Sequence, residues 1–236
     1  VQREDVDDLA GNGLLDDITE KQQRTKILDR FARLYSPVMG SSSVMDYLGQ
    51  TGLDTLEGAD ILKEAPKMYS STVEYPDTSI GAKLRGISQI HQAGFGTRIL
   101  YCDHGSFDTH TNELVNHALL WDQLSTALAC FLDDLKQQGK GEETVIWMFS
   151  EFGRRVRDNG SGTDHGSGSV AFVIGDAVKG GLYGDYPSLE PDKLDQGDLR
   201  WSNDFRGTYA TLLEQWMGLD ANPILGGTYE QFDFIK

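Results

Sequence analysis

Two aspartates and two histidines fall within eight residues at Asp103-His104-Gly105-Ser106-Phe107-Asp108-Thr109-His110. A second segment, Ser150-Glu151-Phe152-Gly153-Arg154-Arg155, adds a carboxylate and two guanidinium groups, and a glycine-rich third carries Thr163-Asp164-His165-Gly166. Three of the chain's five histidines lie in these segments. Carboxylate oxygen and neutral imidazole are both good ligands for a divalent metal such as zinc or manganese. Asp108 and His110 are two residues apart, so on an extended loop they project to the same side and can reach one ion. His165 completes the set if its loop folds back. Glu151 is placed to bind that ion or a neighbouring one. Asp103, His104 and Asp164 are expected beside the ligands, orienting them, and Arg154 offers a planar fork for the anionic oxygens of a substrate.

Plainer readings compete at each position. Asp108 equally suits an N-cap of the helix that follows, and Glu151 with Arg154 and Arg155 suits a surface ion pair. His104 and His110 suit solvated loop positions, and His165, close to glycines, suits a turn. The joint placement of these residues just after apolar runs favours a site, because open α/β sheets bind ligands beyond the carboxyl ends of their strands.

Those apolar runs define the elements that must position the site. Thr97–Cys102 (TRILYC), Thr144–Phe149 (TVIWMF) and Ser169–Ile174 (SVAFVI) read as buried strands. Between the first two, Thr111 to Gln138 reads as a long amphipathic helix with Leu114, Ala118, Trp121, Leu124, Leu128, Phe131 and Leu135 facing inward. Strand, long helix, strand predicts a crossover unit in a parallel sheet covered on both faces. The expected fold is therefore α/β, a three-layer sandwich with a mostly parallel sheet. Before residue 95 the pattern is helical: Thr19 to Pro37, Ser43–Gly49, Asp54–Ala65 stopped by Pro66, and a helix from Thr78 with Ile80, Leu84, Ile87 and Ile90 on one face and Gly94 as its stop. A last helix spans about Arg206 to Met217. The chain thus divides into a helical segment, 1–95, packing on the sheet, and an α/β core, 96–236, that bears the site.

Composition narrows the function. Asp and Glu number 37 against 21 Lys and Arg in 236 residues, a formal charge of −16. That balance disfavours nucleic acid and anionic membrane surfaces as partners. No apolar stretch reaches the length of a membrane span, and two cysteines make no disulfide framework. The sequence has no G-x-S-x-G elbow, phosphate-binding P-loop or dinucleotide fingerprint.

GSFDTH (105–110), SEFGRRVRDNGSGTDHG (150–166), GGLYG (180–184) and DFRGTYATLLEQWMG (204–218) closely resemble the domain-of-unknown-function 1501 family, most sharply from Gly94 to Gly227. The resemblance implies an alkaline-phosphatase-like, sulfatase-related fold in which two metal ions are held at strand ends by Asp and His. Asp108 and His110 match the Asp-and-His pair of one metal site, and His165 is similar to the last His ligand, as in the GTDH segment of the phosphopentomutase branch. Ser150-Glu151-Phe152-Gly153 stands where those enzymes have Asp-His-Gly. Glu151 can ligate, but Phe152 cannot replace a histidine. The resemblance further implies that the nucleophile and another Asp ligand lie upstream of Val1, the chain matching a domain without its N-terminal part. Full-length members commonly carry a twin-arginine export signal, which implies a periplasmic or extracellular location.

The expectation is a metal-dependent hydrolase of phosphate or sulfate esters, acting on a small-molecule ester, with one complete metal site and half of a second. The alternative is a non-catalytic exported binding or scaffold domain that keeps the fold, supported by Phe152 and by a nucleophile outside these residues.

Overall fold

A computed structural model of the chain describes residues 65–236 throughout and, before them, Lys26, Asp29, Arg30, Arg33, Asp46, Tyr47, Gln50, Thr51 and Gly58. The helices expected over 19–37, 43–49 and 54–65 therefore lie, single helical positions aside, outside the described residues. Pro66 sits within a helical turn, 65–68, in which the Tyr69 N–H donates to the Ala65 carbonyl at 3.3 Å.

The chain forms two units. One comprises Val1–His104 with Gln123–Asp134, the other Gly105–Asp122 with Leu135–Lys236. The long helix contributes residues to both units.

In the first unit, α1 (Ser79–Ala93) starts where the Thr78 hydroxyl accepts from the Gly81 N–H, and ends at Gly94, whose φ of 69° suits a residue without a side chain. Its buried stripe runs Ile80, Leu84, Ser88, not along Ile87 and Ile90, which are half-buried. A serine holds the buried position because its hydroxyl donates to Asp134 at 2.6 Å. Asp134 is itself 0% exposed and accepts from Tyr69 at 2.5 Å and Tyr75 at 2.8 Å. Burial raises the pKa of its carboxyl, but the hydrogen bonds from Ser88, Tyr69, Ser71 and Tyr75 together outweigh that effect and hold it below the usual carboxylate range.

The segment 97–102 is not a strand. An apolar run becomes a strand only where a neighbour completes its ladder, and among the described residues none does; Ile99 and Tyr101 are exposed. The crossover unit expected from it is accordingly absent, and both described sheets are antiparallel. This corrects the mostly parallel, three-layer expectation to a mixed α/β arrangement of helices with small antiparallel sheets.

The long helix, α2 (Glu113–Gln137), is present as expected. Its buried stripe is Leu120, Leu124, Ala127, Phe131 and Leu135, spacings of four, three, four and four that keep one face of a helix. Leu114 and Ala118, expected inward, are exposed.

In the second unit the expected strands over 144–149 and 169–174 shorten to β1 (Ile146–Met148) and β4 (Phe172–Ile174). They pair antiparallel, Trp147 opposite Val173, because the chain between them turns back on itself. That turn is a hairpin of β2 (Gly153–Asp158) and β3 (Thr163–Gly166), with Arg154 opposite His165. Its tip is Asn159-Gly160, a strong hairpin signal: Gly160 takes a φ of 98°, and the Asn159 side-chain oxygen accepts from the N–H groups of Ser161 and Gly162. Gly153 opposite Gly166 lets backbones meet, since a side-chain carbon on Gly153 would lie 1.7 Å from the Gly168 carbonyl oxygen. Gly153→Ala is therefore expected to cost about 1–3 kcal/mol of stability, read as a lower urea midpoint.

The C-terminal helix α3 (Phe205–Thr211) is capped by Asp204 and runs on as a π-helical turn over Leu212–Trp216, close to the expected span. Ala210, Leu213 and Ala221 form a small core with Met217, Leu225 and Tyr229, of which Leu225 ends α4 (Asn222–Leu225) and Tyr229 follows it.

Candidate metal centre

The loop 105–109 carries Asp108 and leads through His110 into α2, while β3 carries Asp164 and His165 on successive positions. The two segments meet. Asp108 Oδ1 lies 2.7 Å from His165 Nε2 and 3.1 Å from His110 Nε2. One ligand atom from each of Asp108, His110 and His165 falls within 4.8 Å of the others. Tetrahedral zinc with bonds of about 2.0–2.1 Å has ligand atoms roughly 3.3 Å apart, so the trio needs only small adjustments to enclose an ion.

Asp164 Oδ1 sits 3.1 Å from Nδ1 of His110. A neutral imidazole has one N–H, yet both nitrogens of His110 face a carboxylate oxygen at 3.1 Å. A cation between Nε2 and Asp108 is compatible with that arrangement. The donor set, two imidazoles and a carboxylate with a further carboxylate behind one imidazole, fits a divalent metal. Three candidate ligands with exposed side chains would leave coordination positions open on an ion they held.

The hydrogen bond from His165 is the main cause that holds the Asp108 carboxyl below its ordinary range, with its charge and that of His110 adding to it. His110 does the same for Asp164, aided by the Asn159 amide. Phe152 does not ligate; its ring stacks on His165 with centroids 3.9 Å apart and planes 10° off parallel, fixing the imidazole plane.

The other expected residues are placed as follows. Asp108 is not the helix cap, since α2 begins at Glu113. Glu151 is exposed and is not one of the three clustered ligands. Asp103 belongs to the first unit, where Lys83 bonds it at 2.8 Å and thereby lowers its pKa; His104 is half-buried in the same unit. Arg154, expected to meet substrate, donates instead to Thr109, Thr163 and Phe107.

Two contributors were not anticipated. Glu113 accepts from the Thr163 N–H at 2.5 Å and from its hydroxyl, and Asn159 donates to the His110 carbonyl at 3.1 Å and to Asp164 at 3.2 Å. The Asn-Gly turn was a legible signal for Asn159; Glu113 reads in sequence as an ordinary acidic first-turn residue.

The second unit is thus a mixed α/β body that presents an exposed Asp–His–His cluster where a loop crosses a hairpin. The chain belongs to the DUF1501 family, described as proteins of unknown function, whose pattern matches residues 40–225. No curated protein and no solved structure matches the chain.

Proposed function

We propose that the protein is a metal-dependent hydrolase of phosphate or sulfate esters, of alkaline phosphatase superfamily type. The observation that carries the reading is the convergence of Asp108, His110 and His165 within 4.8 Å, with Asp164 behind His110. When bound, zinc or manganese would supply a Lewis acid for an ester oxygen and lower the pKa of a coordinated water.

The chain's own residues prepare that chemistry. Asp164 orients His110 so that Nε2 faces Asp108, and Phe152 fixes the plane of His165. Glu151, exposed at the end of the preceding loop, is the residue through which a neighbouring ion would be approached. The exposed ligands leave a face open to a small-molecule ester. The superfamily assignment rests on the site and on the resemblance of GSFDTH and GTDHG; the location that goes with it is periplasmic or extracellular. Among the described residues, no helix is long and apolar enough to cross a membrane.

The test is turnover of aryl phosphate and aryl sulfate esters by the full-length protein, with and without a chelator. Hydrolysis abolished by chelation and restored by zinc or manganese is expected. Stoichiometric metal without turnover of either ester class would instead support the non-catalytic binding reading.

A further inference from the structure

We infer that Arg154 is a positioning residue of this metal centre, fixing the separation between the loop that carries Asp108 and His110 and the strand that carries His165. The inference rests on the metal-centre reading above.

A guanidinium has five N–H donors in a rigid plane. Here Nη1 donates to the carbonyls of Thr109 at 2.5 Å and Thr163 at 2.7 Å. Nη2 donates to the Phe107 carbonyl at 2.5 Å and the Thr109 hydroxyl at 3.1 Å. Nε faces Glu113 Oε1 at 3.6 Å. Every donor is therefore turned toward the chain itself, and none is left for a substrate without breaking one of these contacts.

The acceptors share a feature. Phe107 and Thr109 flank Asp108, Thr109 directly precedes His110, and Thr163 is two residues before His165. Arg154 is also the residue opposite His165 in the hairpin, and its guanidinium carbon lies 5.2 Å from the centre of the Phe152 ring that stacks on His165. The loop 105–109 has no regular secondary structure and one internal backbone bond, from the Thr109 N–H to the Phe107 carbonyl at 2.8 Å, so most of its support comes from outside. Glu113 completes the brace by binding the Thr163 N–H on one side and facing Nε on the other. The brace is the better-buried part of the centre: the Arg154 and Glu113 side chains are 23% and 14% exposed, against 39–65% for the three ligands.

Lysine preserves the charge but not the planar fork. With cobalt(II) as the probe, full-length Arg154→Lys is expected to bind about 10- to 100-fold more weakly than the parent. Its visible absorption at saturating cobalt should also change in shape, because the donors no longer converge as before. A residue serving stability alone would lower the melting temperature and leave the saturated spectrum intact, and that result overturns the inference. So does parental affinity with a parental spectrum. Should Arg154→Lys fail to fold, Thr109→Val removes only one acceptor of the fork and carries the same two readouts, with the same overturning result. A folded parent that binds no cobalt would overturn the metal-centre reading itself and this inference with it, whereas a binding parent and an indifferent variant would overturn this inference alone.

Discussion

Asp134→Ala is expected to destabilise the protein by about 3–5 kcal/mol. The carboxylate is fully buried and accepts from the hydroxyls of Tyr69, Tyr75 and Ser88. Alanine removes the acceptor that these hydroxyls share and opens a void beside the fully buried Ser88, and a buried donor that loses its acceptor costs roughly 1–3 kcal/mol. The three contacts join sequence separations of 65, 59 and 46 residues, so one side chain ties the turn after 65–68, the 70–77 segment and α1 to α2. Urea unfolding followed by far-UV circular dichroism measures the loss; a change below about 0.5 kcal/mol, the range of ordinary surface substitutions, would contradict this account.

The same group sets an acid dependence. Its folded pKa lies below the unfolded value of about 3.9, so the unfolded state takes up protons first as the pH falls. The stability it contributes is complete above that value and declines as pH drops through the folded pKa. Tyr75 works in the opposite direction. Burial, then its bond to Asp134, raises the phenol's pKa, so its contribution is complete below about pH 10 and falls as the solution becomes more alkaline. Asp134→Asn should flatten the acid limb, which a pH series of urea midpoints reads directly.

Asp108→Ala is expected to weaken metal binding by more than the roughly 100-fold that loss of an orienting neighbour costs. Asp108 supplies the one carboxylate of the cluster and is the residue both imidazoles face, at 2.7 and 3.1 Å. Without it two like ligands remain, their rings 4.8 Å apart, with no anionic ligand in direct contact with a dication. The fold should persist, because Asp108 is largely solvent-exposed at 65%. Calorimetric titration with zinc measures the change; parental affinity would remove Asp108 from the site.

The site residues were more legible in the sequence than the fold that brings them together. Asp108, His110 and His165 could be picked out because ligand chemistry is a property of residue type, and only a few residue types supply it. Strand pairing is not local in that sense. TRILYC has the composition of a buried strand, but composition does not supply a partner, and without one Ile99 and Tyr101 stay exposed. TVIWMF and SVAFVI did contain strands, and their direction was set by the hairpin between them. The Asn159-Gly160 turn is the local signal for that hairpin, although the glycines around it equally suit a loop. The long helix was found, yet its inward face was displaced, since Leu114 and Ala118 continue the apolar period into turns that nothing among the described residues covers. An arginine at position 154 suggests an anionic substrate because arginine so often binds anions; only the position of three backbone carbonyls, which no side-chain pattern encodes, shows what its donors hold.

The most direct measurement is the metal content of the purified protein by elemental mass spectrometry, beside that of His165→Ala. Zinc or manganese near one equivalent in the parent, and lost in a variant that still melts cooperatively, is the result this account predicts. A well-folded parent that retains no metal when dialysed against zinc and manganese would contradict it.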